Sequence, residues 1–279
     1  MYKDILVHIP STQSPEPVAT YAVSLAKTLG ARLEAVAFGY EPYAGPLSPE
    51  GATADVAALM DTLRQQALDD AKAALAIFAA QADKAGVPHN ERSIGVTPGE
   101  AAGRIGELSR LYELTIVPQP DRSNPGYDQL GPESVLFNSG GPMLVIPFIQ
   151  KGPFKADNVL ICWDGQRESA RAVRDAMPFL QRAGAVQILT INEQQLDLEE
   201  AGSRALAARL EQRGIRVKVQ TINEAGLDAF NVMLSTAADY NAELMVMGGY
   251  GHSRLREFVL GGVTRGIFET MTLPVFMSH

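Results

Sequence analysis

The chain has 279 residues, 46% of them hydrophobic and 20% charged, enough for two domains of about 140 residues, each with a core of its own. A formal net charge of −8 and a pI near 5.1 argue against a nucleic-acid or anionic-membrane surface, which needs clustered Lys and Arg. A single cysteine, Cys162, excludes an intrachain disulfide and a cysteine-based zinc cluster.

Charge is uneven along the chain. Residues 1–150 carry 10 Lys and Arg against 17 Asp and Glu, and residues 151–279 carry 14 against 15. The N-terminus, MYKDILVHIP, lacks an apolar signal core, and no stretch approaches the ~20 apolar residues of a membrane span. The expectation is a soluble cytoplasmic protein.

In chain order, Ile5–Ile9 is an unalternating apolar run, the pattern of a strand covered on both faces. A polar loop, an amphipathic helix ending at Gly30 and a second strand to Phe38 follow. The Gly-, Pro- and Ala-rich segment after it feeds a long helix predicted over residues 52–84. A third strand opens after Gly86, a fourth covers Glu113–Val117 and a fifth Pro142–Ile146. The linker QKGPFKAD (150–157) carries a Gly-Pro turn signal.

The second half repeats this grammar. Val159–Trp163 is a buried strand, the next helix is predicted to end at Gly184, and a second strand runs to Ile191. A third strand opens after Gly214, a fourth covers Glu243–Met247 and a fifth Pro274–Met277. The first half is longer by about two dozen residues, nearly all between its second and third strands. Strands alternating with helices specify parallel βαβ units. The fold class is therefore α/β, two tandem doubly wound five-stranded parallel-sheet domains of Rossmann-like architecture, at residues 1–149 and 156–279. Ligands of such sheets bind beyond the carboxyl ends of the strands where the winding direction switches.

At that place in the second half stand Asp164-Gly165 after the first strand and GGYGHSRLREFVLGGVTRG (248–266) after the fourth. Glycines at Gly248, Gly249 and Gly251 let backbone amides approach a ligand, and Gly261-Gly262 opens a helix whose first N–H groups lack internal partners. Such a cradle suits phosphate, although an ordinary strand-to-helix connection has the same composition. Asp164 alone reads equally as a turn or cap residue. Arg254, Arg256 and Arg265 lie within this region, and a basic residue such as Arg265 in a helix's first turn opposes the positive helix end unless an anion is bound there. Cys162 reads as core. Gly95, Gly99, Gly103 and Gly106 lack the dinucleotide spacing and read as packing or turn positions.

Gly248-x2-Gly251-x9-Gly261, following an apolar strand and preceding a helix and a last strand, together with Asp164-Gly165, resembles the nucleotide loop of the universal stress protein family. The resemblance covers both halves and implies a tandem member with the adenine nucleotide alpha hydrolase-like fold. By that resemblance Asp164 and Gly165 lie at the adenosine, and Thr190 and Ile191 meet the base through backbone groups. Met247 and Gly248 lie at the ribose, and Gly251, Gly261, Gly262, Val263 and Thr264 lie at the phosphates. The implied cofactor is ATP, or ADP or AMP, with Mg only alongside the nucleotide. Gly262 stands where the family carries Ser or Thr, and a lost hydrogen bond to a charged group costs roughly 1.5–3 kcal/mol.

The first half departs further. Pro10 replaces Asp164, and Pro118, Pro120 and Pro125 remove amide donors where the second half has glycines; its nucleotide motif reads as degenerate. No GxxxxGK[ST], GxSxG or HExxH pattern occurs, so no efficient enzyme is expected. Three readings stay open: a regulatory ATP-binding stress protein with at most slow hydrolysis, a scaffold with a vestigial site, and an enzyme for another phosphorylated or adenylated small molecule. The family pairs domains through the fifth strand, which implies an intrachain pseudo-dimer, with a homodimer left open.

Overall fold

The computed structural model describes residues 2–42, 54–120, 131–192, 200–223, 228–249 and 262–279. The chain divides into two compact units, one of Tyr2–Ser139 with Lys151–Pro153 and one of Gly140–Gln150 with Phe154–His279.

The first unit has four parallel strands in the order β3-β2-β1-β4, with β1 Asp4–His8, β2 Arg32–Tyr40, β3 His89–Val96 and β4 Leu114–Pro118. Ile5, Leu6 and Val7 are fully buried because β1 hydrogen-bonds β2 on one side and β4 on the other. Helix α1 (Glu16–Leu29) turns into β2 at Gly30, which takes φ +62° and lets the Ala31 N–H reach Ala26 O at 2.9 Å. The long insert helix α2 spans Ala54–Ala85 and buries Ala71, Ala74, Leu75, Phe78 and Ala82, the helical spacing of one face. It lies so close to β2 that a Cβ on Gly39 would meet Ala67 O at 2.8 Å. Helix α3 (Pro98–Leu108) begins where Glu100 accepts both the Thr97 N–H and the Thr97 hydroxyl, at 3.1 and 2.9 Å. It runs into a 3₁₀ turn, Ser109–Leu111. Gly106 lets α3 pack against α4 (Gly131–Asn138) at Ser134, while Gly99 and Gly103 face open space.

The second unit has the order β5-β10-β9-β6-β7-β8. Its strands are β5 Met143–Ile146, β6 Asn158–Cys162, β7 Ala185–Ile191, β8 Val217–Ile222, β9 Leu244–Gly248 and β10 Val275–Ser278. All its pairings are parallel except β5 with β10. Sequence grammar groups β5 with the first half and predicts a boundary after residue 149. In the compact units β5 falls with the second, where it forms an antiparallel ladder with β10, Val145 opposite Val275.

The predicted single helix before Gly184 is two, α5 (Arg167–Asp175) and α6 (Met177–Leu180). Pro178 has no N–H for a continuous helix, and the chain restarts there. Helices α7 (Ser203–Glu211), α8 (Ala229–Asp239) and α9 (Gly262–Thr270) complete the unit. Phe179 stacks between Phe154 and Phe276, with centroids 5.8 and 5.5 Å away. Arg171 of α5 donates to the carbonyls of His279 and Gly140, and Ser278 donates to Asp175 at 2.8 Å. These bonds tie the helix to β10 and to the segment entering β5. No helix among the described residues is long and apolar enough to cross a membrane.

Candidate functional site

Strand order in the second unit reverses at β6, which pairs with β7 on one side and β9 on the other. Cys162 stands opposite Leu189 and Met247. The residues just beyond these points therefore share one end of the sheet, with strands about 4.8 Å apart. Asp164 and Gly165 leave β6, Thr190 and Ile191 end β7, and Met247 and Gly248 end β9. Backbone bonds hold each exit: Trp163 N–H to Leu189 O at 2.8 Å, Asn192 N–H to Ile222 O at 2.7 Å, and Gly249 N–H to Ser278 O at 2.9 Å.

Asp164 is half-buried, and its Oδ1 accepts the Gln166 N–H at 3.0 Å. Gly165 takes φ +71°. The pair thus forms the turn into α5, and the second Asp164 oxygen has no partner among the described residues. Thr190 is fully buried, and its hydroxyl finds no partner among the described residues. A buried unpartnered hydroxyl costs about 1–3 kcal/mol, a cost that a bound polar group would remove. Ile191 is half-buried and Met247 buried.

Gly248 has a packing reason of its own. A Cβ there would stand 2.6 Å from Ser169 N and 2.8 Å from Glu168 C, so the glycine admits the first turn of α5 against β9. Glu168, absent from the sequence reading, is 4% exposed and is met by the Arg167 guanidinium. Its only signal in sequence is a first-turn position two residues past the cap, where the helix dipole favours a carboxylate.

Gly262, Val263 and Thr264 form the first turn of α9, with Val263 half-buried and Thr264 buried. The helix is seated by Gly266, whose Cβ position is 3.0 Å from the Phe230 ring. Arg265 pairs with Glu269 one turn on, at 3.1 Å, which supplies the counter-charge that the sequence left to a phosphate. Gly251 and Gly261, with His252, Arg254 and Arg256, lie outside the described residues.

Cys162 is buried, and burial, with the Asp164 carboxylate adding to it, pushes its thiol up to about 12. It is a core residue and no nucleophile at neutral pH.

The corresponding end of the first unit is filled differently. His8 is buried against Phe38, with centroids 5.1 Å apart, and Tyr40 lies 6.3 Å beyond. Pro10 occupies the position of Asp164, and Ser11 donates to Phe38 O at 2.6 Å. Gln119, after Pro118, is buried. Of the proline segment that follows, residues 121–130 lie outside the described residues.

Residues 155–279 match the model of the universal stress protein family. That match covers the whole crevice just described. Two solved structures share the fold over nearly the entire chain. A universal stress protein from Archaeoglobus fulgidus DSM 4304 has 17% identity and a TM-score of 0.68, covering 98% of this chain and 95% of its own. A functionally unknown protein from Pseudomonas aeruginosa PAO1 has 15% identity and a TM-score of 0.59, covering 99% and 92%. No curated protein matches the chain in sequence. The α/β fold with a mostly parallel sheet thus extends through both halves, and the match to the universal stress protein family model lies in the second.

Proposed function

We propose that the chain is a stress-response protein that binds ATP, or ADP or AMP, in its second domain (156–279) and acts as a regulatory sensor through that occupancy. The observation that carries this reading is the meeting of Asp164-Gly165, Thr190-Ile191 and Met247-Gly248 at the point where strand order reverses, with a buried Thr190 hydroxyl awaiting a polar partner. Backbone donors at Gly251, Gly261, Gly262, Val263 and Thr264 would take the phosphates, and Asp164 would face the adenosine. Mg would enter only with the nucleotide. The first domain (1–149), with Pro10 in place of the carboxylate and aromatic side chains at its strand ends, serves as a partner without nucleotide. A second reading is a scaffold with a vestigial site. Gly262 in place of a hydroxyl and the buried Glu168 carboxylate beside β9 both favour it.

The deciding experiment denatures protein purified without added nucleotide, identifies released small molecules by mass spectrometry, then titrates ATP calorimetrically into the wild type, Asp164→Ala and Gly251→Val. The expected result is a stoichiometry near one per chain, with binding lost in both folded variants. Absence of co-purified nucleotide, with no heat at millimolar ATP, would leave the scaffold reading.

A further inference from the structure

The first unit carries a groove of about 620 Å³ between β3 and the C-terminal end of α3. Its walls are Arg92 and Ile94 of β3, Arg104, Glu107 and Leu108 of α3, and Arg110 and Leu111 of the 3₁₀ turn. None of the crevice residues of the second unit takes part.

Two features of this groove run against its surroundings. The first is charge. Residues 1–150 are strongly acidic, with 10 basic against 17 acidic side chains, yet three of those ten basic residues line this one groove and Glu107 is the one acidic residue among them. Arg92 is paired with Glu34 at 3.3 Å, and Arg104 meets Glu107 only at 4.0 Å. Arg110 has no carboxylate partner among the described residues. Its Nε donates to Asn138 O at 2.9 Å, which orients the guanidinium and leaves its outer N–H groups for a bidentate acceptor. The second feature is apolar. Leu111 is 74% exposed, a large side chain held at the groove with Ile94 and Leu108. Small-molecule sites are of this size, largely apolar, with a few placed polar groups.

A bare inorganic anion would leave the leucines and the isoleucine unused, and a neutral apolar molecule would leave the arginines unused. We propose that the first unit binds a small organic anion, a carboxylate or phosphate head on an apolar body, in the groove between β3 and α3. The head group sits at Arg104 and Arg110, and the body lies along Ile94, Leu108 and Leu111. This site stands independently of the nucleotide reading.

The test is a calorimetric titration of the full chain with decanoate and with decyl phosphate below their micelle concentrations, beside decanol and acetate as body-only and head-only probes. Saturation by at least one of the two anions is expected, with Kd below about 1 mM. Loss of two charge-assisted contacts in R104Q/R110Q should weaken it about tenfold or more, as should removal of the head or the body. Both arginines are exposed, so the double variant should stay folded, giving up only the Arg110–Asn138 hydrogen bond and the Arg104–Glu107 contact. Leu111→Gln should weaken binding without changing its salt dependence. Asp164→Ala should leave it unchanged. Whichever anion binds more tightly identifies the head group. The proposal is overturned if neither anion saturates, if R104Q/R110Q binds as the wild type does, if decanol matches decanoate, or if Asp164→Ala abolishes binding.

Discussion

A Cβ on Gly248 would stand 2.6 Å from the Ser169 nitrogen, a clash with helix backbone that no side-chain rotation relieves. Gly248→Ala should therefore destabilise the chain by roughly 1–3 kcal/mol, the usual range for overpacking, read as a lower urea midpoint even without ligand. A glycine kept only for ligand approach would leave the apo midpoint unchanged. Cys162 makes a second prediction at this scale. Its thiol is held at about 12 against an ordinary 9.0, so the folded state stays protonated where the unfolded state ionises. The stability this represents is fully present below pH 9 and is lost as pH rises from 9 to 12. Disulfide reagents at pH 8 should leave Cys162 unmodified in native protein and titrate one thiol in urea; rapid native modification would contradict the burial. Sequence alone identified Cys162 as core from its place in an apolar strand. It missed Glu168, because nothing local says that a glycine on another strand draws that turn inward.

At the level of elements, the two halves turn from helix to third strand by the same device. Gly86 and Gly214 take φ +68° and +79°, and the next residues' N–H groups reach Ala82 O and Leu210 O at 3.0 and 3.2 Å. The region around either Cβ position is open, so alanine at either place meets no neighbour and the cost is conformational alone. Gly86→Ala and Gly214→Ala should each cost about 1–2 kcal/mol, measured by denaturant unfolding, with the folds retained. These parallel glycines are what made the repeat legible. The α5–α6 break was less so, although Pro178 was in view, because the amphipathic pattern continues through it to Leu180. Asn241 has φ 52° and ends α8 as glycines end α1, α2 and α7, with Ala242 N–H on Ala237 O at 2.8 Å; an asparagine is a weaker mark of such a turn than glycine.

For the whole molecule, the buried runs of β1, β6 and β9 declared a parallel α/β fold, and the strand grammar pointed to the crevice where Asp164-Gly165 and Met247-Gly248 leave neighbouring strands. Composition did not show that β5 pairs with β10; only the resemblance, in which fifth strands pair, implied it. Four apolar residues suit any sheet, and β10 lies far along the chain. A fragment of residues 156–279, the expected second domain, lacks β5 and exposes the β10 edge, Val275–Ser278, with its unpaired backbone groups. It should associate or precipitate more readily than the full chain, as light scattering would report. Equal behaviour of the fragment and the full chain would mean that the β5–β10 ladder contributes little.

That ladder also has a history in time. Val145 leaves the ribosome about 130 residues before Val275, and at roughly 5–20 residues per second the interval is roughly 6–26 s. The strand order of the second unit is completed by its first-made and last-made strands. Its folding therefore closes only once β10 has been made, and any pause or truncation before that point leaves β5 as an apolar strand without its β10 partner.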